Sequence, residues 1–205
     1  MLQLKNITLS YTKKPIISNL SLTCLPGTIT CIVGANGTGK STILKACAEL
    51  LPLTSGTIIR TTNFGYVPEQ SALPSWLTVY STLWYATRFI KKKVTKKNIM
   101  LALEQVNLHS CANQKVKTLS KGMKQRLAFA ELLVCNPNVI LLDEPFSGLD
   151  YTSSKILEQL LCDFKEQQKI IMCSAHTQQE IKADVYYQIT QHSTLHHMPL
   201  ESATP

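Results

Sequence analysis

The stretch from Gly34 to Ser41, Gly-Ala-Asn-Gly-Thr-Gly-Lys-Ser, constrains the fold of this 205-residue chain more than any other feature. It fits the phosphate-binding pattern G-x-x-x-x-G-K-[ST] at every fixed position. An apolar strand pattern precedes it at Ile29 to Val33, and a helical pattern follows it from Ser41 to Leu51, before Pro52. A strand, a glycine-rich turn and a helix in this order predict a loop whose backbone N–H groups hold a triphosphate.

Two side chains of this loop add chemistry that the backbone lacks. Lys40 brings a positive charge to the phosphates, and Ser41 can place its hydroxyl on Mg2+. Magnesium is a hard cation that proteins usually hold with few oxygen ligands besides the phosphates. The sequence therefore predicts a site for a triphosphate together with Mg2+.

The composition favours one large globular domain, or a domain that carries a smaller insertion, because 44% of the residues are hydrophobic and 17% are charged. Seven cysteines are scattered without a C-x-x-C pair, mostly within apolar runs, which predicts a reducing, cytoplasmic environment. No run of about 18 apolar residues occurs, and the N-terminus lacks the pattern of a signal peptide. We expect a chain that neither spans a membrane nor leaves the cell by that route.

The net charge of +8 is concentrated in one short stretch. Six basic residues and no acidic residue lie within ten positions, which leaves +2 for the rest of the chain; they are Arg88, Lys91, Lys92, Lys93, Lys96 and Lys97. A solvated loop between two helices is one interpretation of such a run, and contact with anionic lipid headgroups is another. Nucleic-acid binding is disfavoured because no aromatic residue lies between the lysines.

The remainder of the first half alternates between strand and helix patterns. Leu2 to Leu9 alternate with one slip, which predicts a bulged or broken strand, and Leu20 to Cys24 predict a second strand. Thr57 to Arg60 and Phe64 to Val67 are short strand candidates. Two helical stretches flank the lysine run between Thr78 and Leu108, which indicates a helical insertion into an α/β core.

A second helix start follows at Ser120, which is a good N-cap. A buried stripe at helical spacing continues to Val134, and the helix should end near Asn136-Pro137. Its open N-H groups beside a serine hydroxyl and Gly122 predict a second anion site; the alternative is that nothing binds there.

Two carboxylates follow a short, fully apolar strand at Val139 to Leu142, which is typical of a parallel sheet buried on both faces. Beside a phosphate loop, we expect Asp143 on Mg2+ or on its water shell, and Glu144 orienting the water that attacks the γ-phosphate. His176 follows a further apolar strand that should neighbour the first one, so we expect it to contact the γ-phosphate.

The sequence resembles, over nearly its whole length, the nucleotide-binding subunit of an ATP-binding cassette (ABC) transporter. The elements that carry the resemblance occur in the family's order: an adenine-stacking aromatic residue (Tyr11), the phosphate loop, a lid glutamine (Gln70), a signature helix start (Leu119 to Met123), the Asp143-Glu144 pair, a D-loop (Ser147 to Asp150) and a switch histidine (His176). The resemblance implies an α/β fold: a P-loop NTPase core with a mostly parallel sheet, an N-terminal antiparallel β part and a helical insertion. It implies a single domain over 1–205, with the core at 1–71 and 124–205 and the helical subdomain at 72–123.

The resemblance also implies a role for each site residue. Those expected to act in ATP hydrolysis are Lys40, Gln70, Glu144 and His176. Those expected to contact the nucleotide are Tyr11, Gly34, Asn36, Gly37, Gly39, Lys40, Ser41, Thr42, Ser120 and Gly122. Those expected to hold Mg2+ are Ser41, Gln70 and Asp143.

By the same resemblance, ATP lies between two copies packed head to tail, with the phosphate loop of one copy facing Ser120 and Gly122 of the other. We expect a homodimer that joins separate membrane-spanning permease subunits at the cytoplasmic, inner face of the cell membrane, with peripheral membrane contact and no nucleic-acid partner. The loop from Gln70 to Leu77 and the helix after it are the expected contact with the permease, because Leu73, Trp76 and Leu77 are apolar residues in a loop interrupted by proline. Alternatively, Trp76 closes the helical insertion onto the core.

Two positions depart from the family's signature pentapeptide, Leu-Ser-Gly-Gly-Gln. Lys121 stands at its third position and Met123 at its fifth. Similar variants occur in single-cassette exporters, so we expect a functional site and an exporter. Haem, drugs, lipids and polysaccharides all stay open as substrates.

The alternative function is a soluble ABC ATPase that acts in translation or DNA maintenance. Such proteins typically carry two cassettes or a long coiled coil, whereas this chain has one cassette and no heptad run. A small-molecule P-loop kinase is disfavoured because it has no use for a signature helix or a switch histidine.

Overall fold

Strands and helices follow the hydrophobic periodicity along the chain. The computed structural model describes residues 1–11, 14–60, 63–90, 93–190 and the backbone of 195–198. Its strands are β1 (Leu2–Ser10), β2 (Pro15–Cys24), β3 (Thr28–Val33), β4 (Ser55–Ile59), β5 (Phe64–Val67), β6 (Val139–Leu142), β7 (Ile170–Ala175), β8 (Val185–Ile189) and β9 (Leu195–Met198). Its α-helices are α1 (Lys40–Cys47), α2 (Val79–Ala86), α3 (Lys96–Gln105), α4 (Lys121–Cys135) and α5 (Tyr151–Glu166).

Two compact units divide these elements. The first comprises residues 1–66, 138–145 and 164–205, and the second comprises 67–137 and 146–163. The first therefore holds nearly all the strands together with α1. The second holds α2, α3, α4 and most of α5, and the stretch predicted to be helical, 72–123, lies within it.

An antiparallel sheet in the order β2-β1-β4 forms one layer of the first unit. The slip in the alternation of β1 is a real irregularity, because its pairing with β2 shifts register between Leu4 and Ile7 and Asn6 has a φ of 48°. Asn6 is held there by Ser21, whose hydroxyl accepts from its N–H (2.8 Å) and donates to its side-chain oxygen (2.8 Å). Of the two predicted alternatives, a bulged or a broken strand, the structure has the bulged one, since β1 continues from Leu2 to Ser10.

The other layer is a six-stranded sheet in the order β5-β6-β7-β3-β8-β9. Strand β7 pairs in parallel with both β3 and β6, β8 pairs in parallel with β3, and β9 returns antiparallel to β8. Because β3, β6 and β7 are parallel neighbours, the loops after them lie at one edge of the sheet, where such folds bind ligands. The predicted fold, a mostly parallel sheet with an antiparallel N-terminal part, is confirmed.

The core of the first unit combines apolar side chains from both sheets and from α1, among them Leu4, Leu22, Leu44, Leu141 and Met172. The helix after the phosphate loop is shorter than its hydrophobic spacing predicts, since α1 ends at Cys47 rather than at Leu51. Glu49 adopts a left-handed conformation (φ 56°), which turns the chain out of the helix while Leu51 still packs against the core. The helical spacing of apolar residues in the sequence therefore extends beyond Cys47, where the helix ends.

The second unit is a helical assembly in which α2, α3 and α4 pack on one another. Side-chain caps begin all three helices: Thr78 accepts from the N–H of Ser81, Thr95 from that of Asn98 and Ser120 from that of Met123. Asn136, in a left-handed conformation (φ 49°), ends α4 where the sequence predicts. Among the described residues, no helix combines the length and the apolar character needed to cross a membrane.

Candidate active site

The phosphate loop connects β3 to α1 and depends on glycine at a position of close contact. Gly39 has a φ of 102°, and a Cβ atom there would lie 2.7 Å from Cδ1 of Ile17. Only glycine accommodates both the backbone conformation and this contact. The first N–H groups of α1 consequently begin directly at the loop, as a phosphate site requires.

Lys40 is the first residue of α1, and its side chain turns back over the loop. Its Nζ donates to the carbonyl oxygens of Gly34 (2.7 Å) and Ala35 (3.2 Å) and lies 3.3 Å from Oε1 of Glu144. Only 4% of the Lys40 side chain is exposed. The cation is therefore held in place by two carbonyls and one carboxylate at the end of β6.

Asp143 accepts hydrogen bonds from residues on two different elements. Oδ1 accepts from the hydroxyl of Ser41 (3.0 Å) at the start of α1 and from that of Ser174 (2.7 Å) in β7, and the hydroxyl of Tyr66 lies 3.5 Å from Oδ2. Burial, and secondly the charge of Asp143, raise the pKa of Tyr66. The predicted magnesium ligands Ser41 and Asp143 are thus in direct contact, and they supply the hard oxygen donors that suit Mg2+.

Glu144 lies between two basic side chains. Its Oε1 faces Lys40, as described, and its Oε2 lies 2.8 Å from Nε2 of His176. Glu144 has a left-handed backbone (φ 45°), and its N–H donates to the hydroxyl of Ser174 (3.0 Å). The predicted catalytic residues Lys40, Glu144 and His176 are therefore brought into one chain of contacts.

The loop that carries His176 is fixed by Glu180. The two carboxylate oxygens of Glu180 accept from the N–H groups of His176 (3.2 Å) and Thr177 (3.2 Å). A cavity of about 370 Å³ opens beside this loop and is lined by Gly34, Ala35 and His176, among others. The histidine thus faces the same space as the first residues of the phosphate loop.

The remaining predicted nucleotide contacts in the first unit show a range of exposure. Tyr11 follows β1 directly and is 56% exposed, so its ring is accessible for stacking. Asn36 and Gly37 are exposed, whereas Thr42 is buried within α1.

Two residues of the site, Ser174 and Glu180, were not predicted from the sequence. For Ser174, the available signal was a polar residue at the end of an otherwise apolar strand.

The signature helix start, in the second unit, is closely packed at Gly122. A Cβ atom there would lie 2.7 Å from Oγ of Ser153 and 2.9 Å from Oδ2 of Asp150. Asp150 caps α5 by accepting from both the N–H (2.8 Å) and the hydroxyl (3.0 Å) of Ser153, and these bonds hold the pKa of Asp150 below its usual value. Glycine therefore lets the start of α4 contact the D-loop.

Lys121, the departure from the family pattern, extends toward the D-loop turn. Its Nζ lies 2.9 Å from the position that a Cβ atom on Gly148 would take. The first turn of α4 contains no acidic residue, and Lys124 adds a second positive charge. The start of α4 therefore presents an excess of positive charge at the positive end of a helix.

The loop after Gln70 is joined to the segment that leads into α4. The hydroxyl of Ser71 donates to Oε1 of the buried Gln125 (3.1 Å). The N–H groups of Val116 and Lys117 donate to the carbonyls of Leu77 (2.9 Å) and Ser75 (3.1 Å). Trp76, between these contacts, is 72% exposed, so it does not close the helical region onto a core.

Together, the phosphate loop at the edge of a parallel sheet and the acidic pair that follows β6 define a P-loop nucleotide hydrolase. The chain belongs to the ABC transporter family, because the sequence model of that family matches residues 17–147. The lantibiotic transport ATP-binding protein SrtF of Streptococcus pyogenes is 32% identical over 191 residues, which cover 89% of this chain and 82% of that protein. The zinc import ATP-binding protein ZnuC of Haemophilus influenzae is 33% identical over 189 residues, which cover 90% and 69%.

Solved structures agree with this assignment of the fold. A dimeric ATP-binding cassette in a post-hydrolysis state, bound to ADP and Pi, superposes with a TM-score of 0.89 over 98% of this chain and 100% of that chain, at 24% identity. The family, the fold class and the ATPase class predicted from the sequence are confirmed. The chain is an ATP-binding subunit of an ABC transporter.

Proposed function

We propose that this subunit hydrolyses ATP with Lys40, Glu144 and His176 and thereby powers export through separate membrane-spanning subunits. The observation that carries the proposal is the position of Glu144, whose carboxylate lies between the ammonium of Lys40 (3.3 Å) and the imidazole of His176 (2.8 Å). A carboxylate in this position can orient a water molecule once ATP engages the lysine.

Hydrolysis by these residues is a matter of positioning and charge stabilisation. Lys40 and the loop N–H groups neutralise the β- and γ-phosphates. Glu144, released from Lys40, orients the attacking water, and His176 donates a hydrogen bond to the γ-phosphate. Tyr11 stacks on the adenine ring, because it is the exposed aromatic side chain that follows β1.

Ser41 and Asp143 would hold Mg2+, with Gln70 as the third predicted ligand. Bound there, the ion neutralises charge that develops on the phosphate oxygens. The hydroxyl of Ser174 keeps the Asp143 carboxylate oriented toward Ser41. Gly34, Asn36, Gly37, Gly39 and Thr42 complete the predicted nucleotide contacts around the loop.

The proposed assembly is a homodimer in which Ser120 and Gly122 of one copy contact the ATP held by the other. The exposed position of Ser120 and the basic first turn of α4, where Lys121 and Lys124 outnumber the neighbouring carboxylate of Asp150, support this role, since the phosphates of ATP are negatively charged. We further propose that the helical subdomain, 72–123, presents this contact and that the assembly lies on the cytoplasmic face of the membrane.

The decisive test of the catalytic assignment is Glu144→Gln. The variant should bind ATP, because Lys40 and the loop amides remain, while turnover falls by roughly two or more orders of magnitude. Size-exclusion chromatography with ATP and Mg2+ should then show a stable dimer that dissociates when ATP is withdrawn. Wild-type phosphate release by this variant would overturn the assignment of Glu144.

The adenine contact is tested separately at Tyr11. Tyr11→Ala should weaken nucleotide binding by on the order of 1 to 3 kcal/mol, by analogy with base stacking on aromatic side chains, and Tyr11→Trp should preserve it. Calorimetric titration with ATP measures both variants. Unchanged affinity in Tyr11→Ala would place the adenine elsewhere.

The loop around Trp76 is the proposed contact with the membrane-spanning partner. The loop accepts backbone hydrogen bonds from Val116 and Lys117, which lie shortly before Ser120 in the chain. A displacement of the loop would therefore be transmitted to the start of α4 through few contacts. Trp76→Ala should leave the melting temperature of the isolated subunit unchanged while lowering transport-coupled ATPase activity in the assembled complex. A melting temperature lower by several degrees, about the effect of 1 kcal/mol or more, would contradict a surface role.

The proposed direction of transport is export. Export rests on the single cassette and on the signature variant with Lys121 and Met123, while one similar relative is named for zinc import. Co-purification with the partner, followed by transport assays in vesicles of defined orientation, tests it. Uptake toward the nucleotide-bearing side would overturn export without affecting the ATPase assignment.

A further inference from the structure

One end of the helical unit exposes basic and aromatic side chains together. We define the basic-aromatic surface as six residues, all of them exposed: Tyr85, Arg88, Phe89, Lys93, Lys96 and Lys97. The first three are spaced i, i+3 and i+4 at the end of α2 and the short helical turn that follows it, which places them on one side. Only six residues separate Phe89 from the start of α3, so the lysines of α3 lie near the same end.

The aromatic part of this surface is unusually open to solvent. Phe89 is 91% exposed, the highest value among the large hydrophobic residues of the described chain. Beside it, the Arg88 guanidinium stacks 3.9 Å from the Trp84 ring centroid, and Trp84 makes an edge contact with Tyr85 at 4.9 Å. Stacking of this kind fixes a cation at the surface without neutralising it.

The charge of this surface is not balanced by its surroundings. The second unit, 67–137 and 146–163, contains twelve lysines and arginines and six acidic residues, a net +6 out of the +8 of the whole chain. No acidic residue occurs between Gln70 and Leu103. In the part of the chain that the structure describes, no carboxylate forms a salt bridge with Arg88, Lys93, Lys96 or Lys97.

We propose that the basic-aromatic surface docks on anionic lipid headgroups. Lysines near such a surface are attracted to it, at about fivefold in binding for each residue, and aromatic rings favour the boundary between headgroups and water. Phe89 between Arg88 and the α3 lysines combines both properties. The proposal rests on the proposed function only for bringing a membrane beside the chain, and that membrane is why anionic lipid rather than nucleic acid is favoured as the occupant of this surface.

The test is flotation of the purified full chain with vesicles. One set is made of phosphatidylcholine alone, and the other of phosphatidylcholine and phosphatidylglycerol in equal parts. We expect the chain to float with the anionic vesicles at low salt, to stay behind with the neutral ones, and to be released at high salt because the attraction is screened.

Matched variants locate the contact. Lys96→Gln/Lys97→Gln should bind anionic vesicles about tenfold or more weakly, whereas Lys5→Gln/Lys182→Gln removes the same charge from exposed positions elsewhere and should bind like the wild type. Phe89→Ser should also weaken binding, and Leu50→Ser, which changes another exposed apolar residue, should not. All four variants should retain wild-type ATPase activity in solution, so a failure of the ATPase proposal would be seen independently.

Three outcomes would overturn the proposal. Equal losses in the two lysine double variants would show that only net charge matters. If the chain showed no preference for anionic over neutral vesicles, the surface would be in contact with solvent alone. Loss of binding to a short DNA duplex in Lys96→Gln/Lys97→Gln, with lipid binding unchanged, would assign the surface to nucleic acid instead.

Discussion

The phosphate site of the first unit and the start of α4 in the second are both suited to phosphate, but they balance charge in opposite ways. In the first, Lys40 is buried and paired with Glu144, while Asp143 accepts bonds from two hydroxyls. At the start of α4, Lys121 and Lys124 stand in a first turn that contains no acidic residue. The phosphate site is thus a compensated site, whose buried cation is paired directly with a carboxylate. At the start of α4, Asp150 lies close to Gly122, but within the described chain neither Lys121 nor Lys124 forms a salt bridge.

The largest effect should follow from removing the cation of the compensated site. Lys40→Ala should reduce ATP turnover by about 100-fold or more, as the loss of a preorganised charge contact does. It should also destabilise the fold, because the buried Glu144 loses one of its two partners. Phosphate release and thermal denaturation measure the two effects.

The double variant Lys40→Ala/Glu144→Gln separates these effects. Neutralising the carboxylate should recover much of the lost melting temperature while turnover stays abolished. A double variant no more stable than Lys40→Ala would mean that the ion pair does not contribute to folding, and the comparison between the two sites would then fail.

The next effect concerns packing at the signature helix. Gly122→Ala should cost roughly 1–3 kcal/mol, because the added Cβ atom would overlap Ser153 and Asp150. Thermal denaturation measures this, and Lys117→Ala, an exposed change shortly before α4, is the control that should stay within about 0.5 kcal/mol of the wild type. An unchanged melting temperature in Gly122→Ala would mean that the contact with the D-loop is loose.

A smaller effect is expected at Ser174, which supports the compensated site without touching the nucleotide. Ser174→Ala removes the bond to Asp143 and leaves the Glu144 N–H without its acceptor, at about 1–3 kcal/mol for a buried group. We expect about a tenfold lower kcat with little change in ATP affinity, since Lys40 and the loop remain. A normal kcat would show that Asp143 and Glu144 keep their positions without the serine.

The smallest effect should follow from Lys121→Ala. The side chain is exposed, so its removal should change turnover by about threefold or less, and less still at high salt. Steady-state ATPase measured at two ionic strengths tests this. A loss greater than about tenfold would make Lys121 part of the catalytic machinery and would remove the contrast drawn between the two units.

Local patterns predicted the parts of the site that lie on single segments. The strand before Gly34, the turn and the helix start at Lys40 follow from periodicity and glycine placement, and the strand before Asp143 follows from its apolar run. The adjacency of His176 to Glu144 was also predictable, because neighbouring parallel strands end at one edge. These features depend on whether a segment is a strand, a turn or a helix, and not on which residues of neighbouring strands are paired.

The features that the sequence did not predict depend on tertiary register or on backbone conformation. The bond from Ser174 to Asp143 requires β6 and β7 to pair in the observed register, which no single segment specifies. The end of α1 at Cys47 follows from the left-handed Glu49, although apolar spacing continues to Leu51. The position of Lys121 over Gly148 likewise depends on how α4 packs against the D-loop.

The ion pair between Lys40 and Glu144 has a consequence for nucleotide exchange under the proposed function. The phosphates of a bound nucleotide would compete with Glu144 for the same ammonium, because the lysine of a phosphate loop reaches the β- and γ-phosphates. Binding would therefore free the carboxylate from Lys40, and the carboxylate could return to the lysine once the nucleotide leaves. The residue that we propose to orient the water would then also influence the exchange of nucleotide.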